Sequence, residues 1–214
     1  MNRIKNALCA VLAASAATAF ADVSTVPVVS NVVMTQASSR LVTITYELGN
    51  APAIVTLDVE TNGVSIGGAN ISCLDGDVNK IVSENGSHTI TWRPDISWPD
   101  HKIRESICRA AVRAWTTDYP PDVMVVDLSS KNGGDRLSFY ESLAFLPGGI
   151  VGNNDYRLTK LVMKKIHAKN VEWTMGEVSG VSDNPTHPVK LADDYYIGVF
   201  PITVGQWKAL GGSI

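Results

Sequence analysis

The side chains of this sequence with the richest chemistry are its three cysteines, its four histidines and one short acidic run. Two thiolates can close a disulfide or hold a soft cuprous ion, provided the sulfurs meet in space. Cys9 lies in the apolar N-terminal stretch, which leaves Cys73 and Cys108. On the run Ile107 to Trp115, Cys108 falls in phase with Ala110, Val112 and Ala114 and opposite Arg109 and Arg113, so it is expected to face inward. The pair is either a bridge or two separate thiols packed as small hydrophobes, and the residues leave both open. Asp75-Gly76-Asp77-Val78-Asn79 opens like a calcium loop. Its sixth position is Lys80 where such loops need Gly, and its twelfth is Gly86 where they need Glu, so a polar turn is expected. His187, flanked by Pro188 and Val189, reads as a hydrogen-bonded structural residue. Asn70-Ile71-Ser72 and Asn85-Gly86-Ser87 match the N-glycosylation sequon, which acts only in a eukaryotic host. No G-x-S-x-G, P-loop, CxxC or HExxH motif occurs.

The ends and the charge narrow the setting in which these residues work. Arg3 and Lys5 precede an almost wholly small or apolar stretch, Ala7 to Phe20, and Ala19-Phe20-Ala21 forms a small-x-small site before Asp22. This is the layout of a secretory signal peptide over residues 1–21, cleaved after Ala21, and its Ala-rich character points to a bacterial source. The apolar run is shorter than the roughly 20 residues of a spanning helix, and no later segment is apolar enough to cross a membrane. Leu8 stands before Cys9 where lipidation wants a small residue, so a lipid anchor is rejected. The expected product is an exported protein, periplasmic or extracellular. The formal net charge of −3 gives no basic footprint for nucleic acid.

From Val26 to Leu128 the pattern is β throughout. Val28 to Thr35, Leu41 to Leu48 and Ile54 to Thr61 are β-branched runs separated by turn formers, and further strands fit His88 to Arg93, Ser106 to Thr117 and Val123 to Leu128. In the second run, Val42, Ile44, Tyr46 and Leu48 alternate with Thr43, Thr45 and Glu47, one face apolar and one polar. Gly49-Asn50-Ala51-Pro52 and Asn62-Gly63 break the chain, and Tyr119-Pro120-Pro121-Asp122 makes a rigid corner. Six or seven short strands within about a hundred residues argue for an immunoglobulin-like antiparallel β-sandwich over 26–128. Trp92, Trp98 and Trp115 read as core or corner aromatics, with carbohydrate stacking as the alternative. Residues 129–155 contain Asn132-Gly133-Gly134, Pro147-Gly148-Gly149 and Gly152-Asn153-Asn154 and read as a linker carrying one strand at Leu137 to Phe145. A new β run opens at Tyr156, in which Leu158, Lys160, Val162 and Lys164 alternate with Arg157, Thr159, Leu161, Met163 and Lys165.

Beyond Leu161 the order of motifs becomes specific. Val171-Glu172-Trp173-Thr174-Met175-Gly176 is followed by a polar loop and then by Pro185-Thr186-His187-Pro188-Val189-Lys190-Leu191. Asp194-Tyr195-Tyr196-Ile197-Gly198-Val199-Phe200 comes next, then Ile202-Thr203-Val204-Gly205-Gln206-Trp207. Thr203 suits a helix N-cap, and Gly211-Gly212 a C-cap. This order resembles the start of the formylglycine-generating enzyme family, the sulfatase-modifying factors, over Leu161 to Gly212. The resemblance rests on Met175, Gly176, Pro185, His187, Val189, Leu191, Tyr196, Ile197, Gly198, Thr203, Gln206 and Trp207. It departs at Glu177, where a small residue is usual, and at Phe200-Pro201, where Tyr-Glu is usual.

The resemblance implies the truncated opening of a C-type-lectin-like α+β domain over 156–214. In the complete family domain it implies copper held by two late cysteines, with calcium as a second ion. No cysteine follows Cys108 here, so no catalytic, cofactor-binding or metal-binding residue is carried over, and the chain is expected to be inactive as an oxidase. The alternative is a non-enzymatic binding or adhesion module whose ligand is an extracellular protein or a glycan. The aromatics Trp173, Tyr195, Tyr196, Phe200 and Trp207 are expected to pack incompletely.

Overall fold

A strand covered on one face needs an apolar residue at every second position, and Val42, Ile44, Tyr46 and Leu48 supply four. In the structure, a computed structural model that describes residues 26–104, 106–130, 136–176 and 186–213, all four are buried while Thr43, Thr45 and Glu47 are half-buried. The expected signal peptide, the Asn132-Gly133-Gly134 turn and Pro185 lie outside these residues. The described chain is mainly β, with several antiparallel sheets and a few short helices.

Strand β2 (Val42–Gly49) lies between β1 (Val28–Gln36) and β7 (Gly86–Trp92), and β5 (Leu74–Gly76) completes this sheet beyond β7. A second sheet centres on β3 (Ala53–Thr61), with β8 (Cys108–Trp115) along one edge and β4 (Val64–Ser65) and β6 (Lys80–Val82) along the other. The two-residue turn Asn62-Gly63, with φ of 52° and 77°, joins β3 to β4. Positive φ at both central residues is what a tight hairpin requires and what Asn-Gly tolerates. One core unites the two sheets: the apolar face of β2, Val55, Leu57 and Val59 of β3, Ile90 and Trp92 of β7, and Val112 of β8. Each such side chain contributes about 1.5–3 kcal/mol on burial.

The opposite face of β3 is buried too, but it is polar. Thr56 Oγ1 accepts from Trp115 Nε1 at 3.0 Å and donates to Glu141 Oε1 at 2.9 Å, while Arg113 Nη1 donates to both Glu141 oxygens at 2.8 and 2.6 Å. Asp58 accepts from Ser65 Oγ at 2.8 Å. Buried polar groups are tolerated when every one has a partner, as here.

A third sheet runs in the order β10 (Leu137–Tyr140), β9 (Val123–Asp127), β11 (Lys160–Ile166), β14 (Tyr195–Gly198). Strand β9 was expected as the last strand of the first unit. It pairs instead with β10 and β11, so its neighbours come from later in the chain. The Gly- and Asn-rich stretch expected as a linker carries β10, a 3-10 turn at Leu143–Phe145, and Leu146, which is fully buried with Val123, Val125, Tyr156 and Val162 in a second core. Its turn packs tightly on the first unit: a Cβ on Gly68 would lie 2.0 Å from Phe145 Cα and 2.7 Å from the Ala144 carbonyl. Strands β12 (Glu172–Met175) and β13 (His187–Lys190) form a separate antiparallel pair. A 3-10 turn at Gly68–Asn70 and the short helices α1 (Pro94–Ser97), α2 (Asp155–Leu158) and α3 (Val204–Ala209) complete the described elements.

Candidate functional site

The rigid corner at Tyr119-Pro120-Pro121-Asp122 leads into β9, and its carbonyls point at two side chains of the third sheet. Proline gives up its N–H but keeps its carbonyl. The Pro120 carbonyl accepts from Lys165 Nζ, and the Pro121 carbonyl accepts from the Tyr196 hydroxyl. Lys165 on β11 and Tyr196 on β14 are direct cross-strand partners, and the Lys165 N–H donates to the Asp122 carbonyl at 2.7 Å. Strand pairing thus sets the two side chains beside each other, and the corner closes over them.

Lys165 is 4% exposed, a rare burial for an ammonium. Its Nζ lies 4.1 Å from the Tyr119 ring centroid and 5.7 Å from that of Tyr196, a double cation–π contact. Burial pulls its pKa below the ordinary lysine value, against the opposing charges of Asp122 and Asp194. Burial, and then Asp122 and Tyr119, pushes the Tyr196 phenol up to about 12. His167 bridges the outer rim: Nε2 lies 3.0 Å from Asp122 Oδ1 and Nδ1 3.4 Å from Asp194 Oδ2. The Lys169 N–H donates to Asp194 Oδ1 at 2.9 Å, and this bond, with a smaller contribution from His167, holds the Asp194 carboxyl below its usual range. Tyr119, Pro120, Lys165, Asp194 and Tyr196 border a cleft of about 190 Å³, which Asp118, Lys169 and Asp193 also line. The ammonium is fixed by a carbonyl and two ring faces.

The residues singled out in the sequence fall in several places. Cys73 is exposed just before β5 and Cys108 is buried at the start of β8; both are free thiols. Met175 and His187 face each other across β12 and β13, as do Trp173 and Val189, and Gly176 follows with φ 105°. Leu191 bridges to Lys169. Ile197 and Gly198 lie on β14 with Tyr196. Thr203 and Gln206 form a reciprocal cap on α3: the Thr203 hydroxyl accepts from the Gln206 N–H at 3.1 Å, and Gln206 Oε1 accepts from the Thr203 N–H at 2.9 Å. Gln206 is 3% exposed, and its Nε2 also donates to the Tyr156 and Lys160 carbonyls at 3.0 and 2.8 Å. Gly211 and Gly212 close the helix with bonds to the Lys208 and Trp207 carbonyls. Trp173, Tyr195, Phe200 and Trp207 are between 37% and 50% exposed. Trp92 is core, Trp98 stacks between it and His101, and Trp115 serves the Thr56 network.

Of the expected motif residues that are described, Tyr196 alone lines the cleft. Lys165 and Tyr119 were read only as members of a strand and a corner. The available signal was an amine sharing the apolar row Leu161 and Met163, which must either reach water or find an internal partner. Among the described residues, no group of three or more His, Cys, Asp or Glu side chains gathers to hold a metal. No family model, curated protein or solved structure matches the chain.

Proposed function

We propose that this is an exported binding protein, an immunoglobulin-like sandwich followed by opening strands of a C-type-lectin-like domain of the formylglycine-generating type, which works by holding a ligand in the Lys165 cleft. The observation that carries the binding reading is the cleft itself: an ammonium clamped between two tyrosine rings, with donors and acceptors at its rim. The family reading is supported by the order of motifs and by the Thr203–Gln206 cap. Cys73 and Cys108 border strands of the first two sheets, outside the Leu161 to Gly212 segment, which supports binding over copper-thiolate oxidation.

Two measurements test it. Purified protein given cuprous ion, oxygen and a cysteine-containing sulfatase peptide should yield no aldehyde by mass spectrometry; turnover that disappears in Cys73→Ser or Cys108→Ser would overturn the reading. Amide NMR titration with glucose, acetate, inorganic phosphate and tetramethylammonium should move the resonances of Tyr119, Lys165 and Lys169 with at least one probe. A cleft silent to all four would remove the support for binding.

A further inference from the structure

Resting on the binding reading above, we infer that the Tyr119–Lys165–Tyr196 cleft takes a neutral, polyhydroxylated ring, a single pyranose residue of a glycan. The argument starts from charge. The lining carries three carboxylates, Asp118, Asp193 and Asp194, against the two ammonium groups of Lys165 and Lys169, with Asp194 also bonded to His167 and to the Lys169 N–H. An anion would gain two ammonium groups but meet three carboxylates at the same rim. A cation would gain the carboxylates but meet the same two ammonium groups, and the tyrosine faces that would attract it already hold Lys165. A neutral ligand meets neither penalty.

Hydrogen-bonding capacity points the same way. Lys165 Nζ uses one donor on the Pro120 carbonyl, and an ammonium carries three. Lys169 is loosely paired with Asp193 at 3.7 Å, an exposed contact that opens at little cost. Asp118 and Asp193 only accept when ionised. The rim therefore offers donors and acceptors side by side, which is what a ring of hydroxyls presents, each both donor and acceptor. Tyr119, 54% exposed beside Pro120, adds a flat apolar edge against which a sugar ring can lie. The cleft volume of about 190 Å³ suits one ring better than an extended chain.

The test is amide NMR titration of the intact protein with glucose, galactose, mannose and N-acetylglucosamine, alongside acetate, inorganic phosphate, tetramethylammonium and glycine. At least one sugar should saturate with a dissociation constant of about 1 mM and shift residues of the cleft. Tyr119→Ala should weaken it about tenfold, and Lys169→Met by a smaller factor. Lys169 is exposed, so the thermal melt of its variant should match the wild type; Tyr119→Ala also takes a ring face from Lys165, so shift mapping on the wild type gives the readout that needs no variant. Cleft shifts with acetate, phosphate, tetramethylammonium or glycine and with no sugar would overturn the ligand class while leaving a binding protein. Silence of the cleft toward every probe would overturn both.

Discussion

Replacing Gln206 with leucine removes one side chain of similar volume and three hydrogen bonds. The Thr203 N–H loses its acceptor, and the Tyr156 and Lys160 carbonyls lose a donor apiece. A single intramolecular bond contributes about 1 kcal/mol net, and a buried group left without its partner costs about 1–3 kcal/mol. Because Gln206 is 3% exposed, water cannot readily replace it, and a loss of about 3 kcal/mol is expected. The six residues of α3 are far too few to hold a helix by propensity alone, so the loss should appear first as local opening. Hydrogen exchange reads that directly at the Trp207, Leu210, Gly211 and Gly212 amides, which are bonded across this turn. Their exchange should quicken roughly a hundredfold, since each 1.4 kcal/mol is a factor of ten. Gln206→Glu keeps the acceptor for Thr203 but turns a carboxylate toward two carbonyls, so it should open the helix at least as far at neutral pH and recover in acid. Exchange within about threefold of wild type in the leucine variant would refute the anchoring argument.

Gly68→Ala should be among the most damaging turn substitutions, because Gly68 is buried and its Cβ would collide with the backbone of Phe145 and Ala144; overpacking of this kind costs about 1–3 kcal/mol, read by urea unfolding. The His88 ring, and then Lys80, hold the Asp77 carboxyl below its usual range, so its contribution is complete above the unfolded value of about 3.9 and is lost as pH falls through the lower folded value. Asp77→Asn should therefore melt earlier at pH 7, with the gap closing in acid; a gap independent of pH would count against the assignment. Asp58 has the opposite sign: burial raises its pKa, so its ionised form subtracts from stability above the folded value, and the penalty fades as pH falls. Asp58→Asn keeps an acceptor for Ser65 and should raise the melting temperature at pH 7, with less gain in acid.

The features legible in the sequence were those that neighbours in the chain decide. The alternation along Val42 to Leu48 became a strand buried on its apolar side, Asn62-Gly63 became a two-residue hairpin turn, and Thr203 with Gln206 became a helix cap. Each needs only a period of two, a pair of backbone angles, or a spacing of three residues. Cys108 faced inward for the same reason. In the Gly- and Asn-rich stretch the strand expected within Leu137 to Phe145 runs over Leu137–Tyr140, while Gly148 and Gly149, with φ of 74° and 70°, serve tight turns, and composition does not distinguish turns that are packed from turns that are free.

Tertiary structure alone decided the partners. A pattern of two tells which face of β9 is covered but not that β10 and β11 cover its edges. Nor could it bring the Tyr119 corner onto β11 and β14, since the bond from Tyr196 to the Pro121 carbonyl spans 75 residues. Sequence placed a lysine on a half-apolar strand. Whether its amine reaches solvent or is held between two rings depends on which distant segment closes over it, and that choice belongs to the packing of the whole chain, because a buried ammonium is stable only where carbonyls, carboxylates and ring faces from several elements meet it together.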